Sequence, residues 1–366
     1  MHLKSLSVLD YKNIEQAEIT FCPKLNCFLG DNGAGKTNLL DAIYYLSFCK
    51  SFFNSVDLLN IKHNSEFFML QGKFLRGEND ETVSCGYRNG QKKQFKRNQK
   101  AYKKLSEHIG LFPLVMVSPS DSVLISGGSE ERRKFMDGVI SQYDHGYLDS
   151  LIKYNRALLQ RNNLLKKFAE TKSFDEETLS IYDEQLNTFG KIIYLKRREF
   201  IDRIIPVFQY FYEFVSGGKE KVALDYSSSL SKDNLKDQLI ESREKDRVTL
   251  FTNIGVHKDD LDLIFDGFPI KKIGSQGQNK TYLISLKFAQ FEFIKNASGI
   301  KPILLLDDIF DKLDANRVGK IIELVLQDRF GQIFITDTNR KHLEDIVIQM
   351  NSEYLIFMIA NGKVID

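Results

Sequence analysis

The sequence predicts an α/β fold of P-loop type, a mixed sheet with flanking helices, interrupted by an inserted helical lobe. Three observations predict it. "GDNGAGKT" (Gly30 to Thr37) satisfies G-x-x-x-x-G-K-[ST] at every fixed position, after an apolar segment and before helical spacing. The run "PILLLDD" reads as a buried parallel strand ending in two acids. Between them, Glu131 to about Val215 is mostly long helix, with Leu148, Leu151, Tyr154, Leu158, Ile193, Phe200 and Ile204 at helical spacing.

Taken in order, "EQAEITF" alternates Ala17, Ile19 and Phe21 with polar neighbours, as a half-buried strand does, and "KLNCFLG" is a second strand feeding the glycine loop. "TNLLDAIYYLSF" then switches to helical period. Residues 66–100 read as β-hairpins, with "RNGQ" supplying an Asn-Gly turn. "PLVMVSP" is a short buried strand. "ETKSFDEE" breaks the helical lobe into two arms, which lack the sustained a/d heptads of a coiled coil. Beyond "VSGGKEK" strands are expected at "KVALDYS", "VTLFTNIG" and "DLDLIFDG". A polar turn and helix follow, then the "PILLLDDIF" strand, a helix through "RVGKIIELVLQ", the strand "GQIFITDTN" and a final strand "YLIFMIANGKVI".

Composition excludes several classes. With 42% apolar and 27% charged residues among 366, the chain is neither disordered nor membrane-spanning, since no run approaches the length of a bilayer helix. The N-terminus lacks the apolar block of a signal peptide. Cys22, Cys27, Cys49 and Cys85 form no CxxC pair and read as small buried hydrophobes, so a reducing cytoplasm is expected.

The glycine loop carries a specific chemistry. Gly30, Gly33 and Gly35, with Asp31, Asn32 and Ala34 between them, let the backbone turn several N–H groups toward a phosphate chain. Lys36 reaches the β and γ oxygens, the Thr37 hydroxyl ligates Mg²⁺, and Asn38 lies beside them. Asp307, at the carboxyl edge of a parallel strand, is the expected second Mg²⁺ anchor. Asp308 is expected on the opposite side of the strand, placed to orient or deprotonate an attacking water. The cofactors implied are ATP and Mg²⁺, and the expected catalytic set is Lys36, Asp307 and Asp308.

Two further stretches allow alternatives. "GSQGQNKTYLISLKFAQ" opens a helix at Ser275, Gln276, Gly277 and Gln278. It is either a capped helix start or an anion site completing the ATP pocket of a second copy of the chain. "YRNGQKKQFKRNQKAYKK" carries eight Lys or Arg and no acid within a chain of net charge +2. Arg88, Lys92, Lys93, Lys96, Arg97 and Lys100 there are either a solvated hairpin or a phosphate-contacting strip for DNA. Arg132, Arg133, Lys134 and Lys196 to Arg198 raise the same question.

In this order, "GDNGAGKTNLLDAI", "GSQGQ" and "LLLDDIFDKLD" resemble the ABC-type ATPase heads of SMC and Rad50 proteins. With "SPSDSVLISGGSEERRKFMD", "YNRALLQRNNLL", "DEQL" and "GVHKDDL", which together span nearly the whole chain, the fuller resemblance is to the RecF family of bacterial recombination mediators. The resemblance implies an ATP-dependent homodimer with Ser275–Gln278 supplied in trans. It implies binding to gapped DNA at single-strand/duplex junctions, action with RecR and RecO, and support of RecA loading. Lys12, in "YKN", stands where relatives usually carry Arg, and can meet a phosphate without a bidentate fork. Val256 and Lys258 replace a usual Pro and Arg. "FITDTN" holds no histidine to sense the γ-phosphate, and Asp308 is one methylene shorter than the usual ABC glutamate, so slow hydrolysis is expected. The division read from the text is an ATPase lobe at 1–112, the helical lobe at 113–218 and the returning ATPase lobe at 219–366. A nucleotide-controlled DNA clamp is the alternative. A transporter-coupled ATPase fits poorly, because Thr37 and Asp307 stand 270 residues apart.

Overall fold

The computed structural model describes residues 1–338 and 353–365, so Asn339 of the expected strand "GQIFITDTN" and Asp366 fall outside the described residues. By internal contacts the chain divides into two units. One comprises 1–122, 210–219 and 275–366, the other 123–209 and 220–274.

In the first unit, β1 (His2–Tyr11) and β2 (Ile14–Thr20) form an antiparallel pair, and Ala17 and Ile19 face inward as their alternation requires. β3 (Leu25–Leu29) is buried along its whole length and leads into the glycine loop and helix α1 (Lys36–Phe48). The hairpins follow as β4 (Phe67–Arg76), β5 (Asn79–Arg88), β6 (Gln94–Arg97) and β7 (Lys100–Ala101), giving a sheet ordered β2-β1-β4-β5-β6-β7. β8 (Leu114–Val117) lies in the central sheet described below.

The second unit holds α2 (Val123–Ser126), α3 (Ser129–Ile140), α4 (His145–Thr171) and most of α5 (Glu176–Ser216), whose last turns, from Tyr210, group with the first unit. Asp144 caps α4 by accepting the Tyr147 N–H, and Lys172 ends it in left-handed backbone, so the expected break between the two arms is present. A three-stranded sheet, β9 (Val222–Ser227), β10 (Asp260–Phe265) and β11 (Phe268–Pro269), belongs to this unit with α6 (Leu235–Glu241), α7 (Arg243–Thr249) and α8 (Ile270–Ile273).

The first unit resumes with α9 (Gln276–Ser298), β12 (Ile303–Asp307), α10 (Ala315–Leu326), β13 (Ile333–Asp337), β14 (Tyr354–Ala360) and β15 (Lys363–Ile365). The central sheet runs β15-β14-β3-β13-β12-β8, parallel from β14 to β8 with β15 antiparallel at the edge. β3, β8, β12 and β13 are buried at every position, as strands covered on both faces must be. Phe21, Phe28 and Phe334 pack as an aromatic cluster there, and each fully buried ring contributes about 1.5–3 kcal/mol.

Three expectations are corrected. The lobe boundaries move: 113–122 belong with the ATPase sheet because β8 pairs with β12, and 220–274 belong with the helical unit because β9 and β10 pair within it. "VTLFTNIG" is not a strand. Its start closes α7, and Leu250 ends that helix in left-handed backbone. The final strand is a hairpin turned at Asn361 and Gly362, both with positive φ. Among the described residues no helix is long and apolar enough to cross a membrane, and all four cysteines are buried and unpaired.

Candidate nucleotide site

The glycine loop leaves the carboxyl end of β3 with Gly33 and Gly35 in left-handed backbone, φ 77° and 115°. Gly30 answers to a different constraint: a Cβ there would stand 2.1 Å from the Ile359 carbonyl oxygen of β14. Asn13, which the sequence did not single out, braces the loop by donating to the Gly33 carbonyl at 3.1 Å and accepting from Asn38 at 2.7 Å. The loop from Asn32 to Asn38, with Asp307, Asp308, Thr336 and Thr338, lines a cavity of about 250 Å³. Gly30 and Asp31 stand behind that lining, where their carbonyls accept from the Lys36 ammonium at 2.6 and 2.9 Å. Burial lowers the Lys36 pKa, against the pull of Asp308 and Asp307.

Asp307 ends β12 and is buried. Its Oδ1 accepts from the Thr37 hydroxyl at 2.9 Å and from the Thr336 hydroxyl at 2.8 Å, while the Ser118 hydroxyl reaches Oδ2 at 3.5 Å. Burial is the largest influence on its carboxyl and raises the pKa, so these hydroxyls only partly offset the desolvation. A buried carboxylate beside a threonine hydroxyl is the oxygen-donor pair that Mg²⁺ takes when substrate phosphates and waters fill its remaining positions. Among the described residues no cluster of three or more His, Cys, Asp or Glu could hold a metal ion alone. The donor set therefore fits Mg²⁺ delivered with a nucleotide.

Asp308 does not stand apart from Asp307, as strand alternation predicts. The strand has ended, Asp308 adopts φ 49°, and both acids line one cavity. Thr336 ties them together: its Oγ1 donates to Asp307 and accepts the Asp308 N–H at 3.1 Å. Thr336 and Ser118 are site residues that carry no P-loop signature, and only the strand register reveals them.

Other expected residues lie elsewhere. Lys12 does not line the cavity. Its ammonium pairs with the buried Asp41 carboxylate at 2.5 Å, which also accepts from Tyr11, Ser51 and the Phe52 N–H. Ser275 and Gln278 form a capping box, Gln278 N–H to Ser275 Oγ at 3.2 Å and Ser275 N–H to Gln278 Oε1 at 2.9 Å. None of Ser275, Gln276, Gly277 and Gln278 lines the P-loop cavity of its own chain.

The basic strip divides in two. Arg88 pairs with Glu66 at 3.2 Å, Lys93 with Asp57 at 2.9 Å, and Arg97 with Glu81. Lys92 and Lys100 are exposed and Lys96 half-buried, with no carboxylate in ion-pair range among the described residues. Much of the later basic text turns inward: Arg132 pairs with Asp260 and Arg197 with Asp137 and Asp259.

The parallel sheet, the glycine loop at its carboxyl edge and the acid pair at the end of β12 define an ATPase head of the ABC type. The chain belongs to the RecF/RecN/SMC N terminal domain family, which it matches over residues 2–364. It is 56% identical over its whole length to the DNA replication and repair protein RecF of Phocaeicola vulgatus, covering 98% of that protein. To RecF of Bacteroides fragilis it is 53% identical, again over 100% of this chain and 98% of the relative. It superposes on the solved recombination mediator protein RecF-ATP of the RecFOR pathway with TM-score 0.90 at 31% identity, covering 100% of this chain and 97% of the other. A head domain of Smc bound to the C-winged helix domain of ScpA shares the fold, with TM-score 0.59 at 14% identity over 100% and 98% of the two chains.

Proposed function

We propose that the chain is an ATP-dependent, DNA-binding recombination mediator of the cytoplasm, a slow ATPase whose nucleotide state switches a homodimer on gapped DNA. It acts with RecR and RecO to support RecA loading. The observation that carries the ATPase part is the cluster Thr37–Asp307–Thr336–Asp308 beside the glycine loop. The relatives' names and the RecF-ATP structure support the mediator part.

In this reading the N–H groups of Gly33 to Thr37 bind the phosphate chain and Lys36 adds a point charge at its end. Thr37 and Asp307 would hold Mg²⁺, which would supply charge neutralisation of the phosphate chain. Asp308 orients the attacking water and accepts its proton. Ser275 and Gly277 of a second copy close the γ-phosphate side, where the positive end of α9 favours an anion. The single-methylene reach of Asp308 keeps turnover slow.

Sedimentation of the full chain with and without ATP tests the switch. Wild type is expected to dimerise with ATP, and Ser275→Arg to bind ATP yet remain monomeric. A Ser275→Arg chain that still dimerises overturns the trans placement. Asp308→Asn is expected to lock the dimer and abolish repair in cells. Full repair by that variant would favour a DNA clamp with incidental turnover.

A further inference from the structure

Of the three lysines of helix α9, Lys280 and Lys287 stand seven residues apart and therefore on one face. The Lys280 ammonium donates to the carbonyl oxygens of Asp308 at 3.1 Å and Asp311 at 2.7 Å. The turn it holds contains two non-glycine residues in left-handed backbone, Asp308 at φ 49° and Lys312 at φ 61°. Such backbone persists where surrounding groups over-determine it. Lys287 makes a buried ion pair with Asp121 at 2.6 Å, the two side chains only 7% and 6% exposed. The other oxygen of Asp121 accepts the Ser118 N–H at 2.8 Å, and the Ser118 hydroxyl is the one that reaches Asp307. At the head of α9, Arg317 donates to the Thr281 hydroxyl at 2.7 Å and pairs with Asp314 at 3.2 Å.

We infer that Lys280 and Lys287 are positioning residues for the acid pair. From one face of α9, Lys280 fixes the Asp308–Lys312 turn and Lys287 fixes, through Asp121, the Ser118 hydroxyl beside Asp307. The helix that opens at the Ser275 turn thus reaches both acids of its own chain. A buried ion pair is a costly way to stabilise a fold compared with packed apolar side chains, so the Lys287–Asp121 pair fits a role in placement better than one in stability. The inference rests on the ATPase reading above.

The test uses the full chain in steady-state ATP hydrolysis, with binding of a fluorescent mant-ATP measured separately and amide hydrogen exchange followed over Asp308–Lys312. Lys280→Met is expected to lower kcat about tenfold while KM and the mant-ATP Kd stay within about twofold, the pattern of a group that acts in the transition state. Lys280→Arg should keep at least about half of kcat, because it retains the donors. Exchange across Asp308–Lys312 should quicken about tenfold in Lys280→Met, with other protected amides unchanged. Lys287→Met combined with Asp121→Asn, which leaves no buried unpaired charge, is expected to lower kcat in the same way without loss of mant-ATP binding. Unchanged kcat in Lys280→Met, or a Kd that rises in step with the loss of kcat, overturns the inference. A wild-type chain that binds mant-ATP but hydrolyses none overturns the ATPase reading instead. The exchange comparison then decides the positioning claim, and equal exchange sinks it.

Discussion

Both units of the molecule bury ion pairs, Lys12–Asp41 and Lys287–Asp121 in the ATPase unit and two arginine clusters in the helical unit, but they differ in where their other charges go. In the ATPase unit the sheet core is apolar and aromatic, and the charged groups Lys36, Asp307 and Asp308 gather at a cavity open to a ligand. In the helical unit two arginines are buried outright. Arg161, fully buried, is held by Asp183 at 2.7 Å and Asp246 at 2.6 Å. Arg197 is held by Asp137 at 2.9 Å, Asp259 at 3.0 Å and the Val256 carbonyl at 2.7 Å. The first arrangement leaves charge available for chemistry. The second consumes it to pin helices to a small sheet.

The comparison breaks first at the arginines. Arg197→Leu should destabilise the helical unit by about 3–5 kcal/mol, since it strands Asp137 and Asp259 in a low-dielectric site. Chemical denaturation should then show that unit unfolding at lower denaturant than the ATPase unit. A single unshifted transition would mean the cluster is inessential.

Next comes acid. His108 in the first unit and His257 in the second are both held neutral, burial pushing each pKa down from 6.5 to about 4. The unfolded chain takes up protons below pH 6.5 that the folded chain refuses until about 4. Stability from each ring is therefore present above pH 6.5 and lost as pH falls to about 4, by roughly 3 kcal/mol per histidine. His108→Gln and His257→Gln should each flatten this acid limb in pH-dependent denaturation, one unit at a time. If one variant flattens both, the units do not unfold separately.

Lys36→Ala sharpens the contrast from the other side. It should weaken mant-ATP binding about 100-fold, close to 2.7 kcal/mol, with little change in thermal midpoint, because its bonds go to its own loop. The smallest effect is expected at the strip. Lys92, Lys96 and Lys100 changed together to Gln should reduce the slope of log K for DNA against log salt by about 2–3. The same change at Arg88, Lys93 and Arg97, whose charges are already paired, should leave the slope nearly intact.

Much of the site was legible in the sequence, because a phosphate loop is a contiguous text and a strand that ends in two acids keeps its meaning locally. Thr336, Ser118 and Asn13 were not legible, since only the parallel register of β13, β12 and β8, and the approach of the segment after β1, bring them to Asp307 and the loop. Asp308 was misplaced because strand alternation was carried one residue too far. In the helical unit the position was reversed. "FMD", "LQRNN", "DEQL" and "GVHKDD" stood out without a chemical role, and Asp137, Arg161, Asp183 and Asp259 show why: they are the two arginine clusters. The outlying boundary at 113–122 failed for the same reason as Thr336, a strand partner far away in the text.

The pairing of β3 with β13 and β14 also bears on how the molecule is made. Cys22, just before β3, contacts the Glu353 carbonyl, 331 residues further along. At about 5–20 residues per second of synthesis, a ribosome needs roughly 20–70 s to supply that stretch. Until then β3 lacks its β14 neighbour, β13 having been made only shortly before, and the carbonyl of Ile359 that crowds Gly30 does not yet exist. The helical unit, complete at residue 274, is free to fold during that interval. The glycine loop is therefore made before the helical unit, yet its packing against β14 can be completed only after that unit has been synthesised.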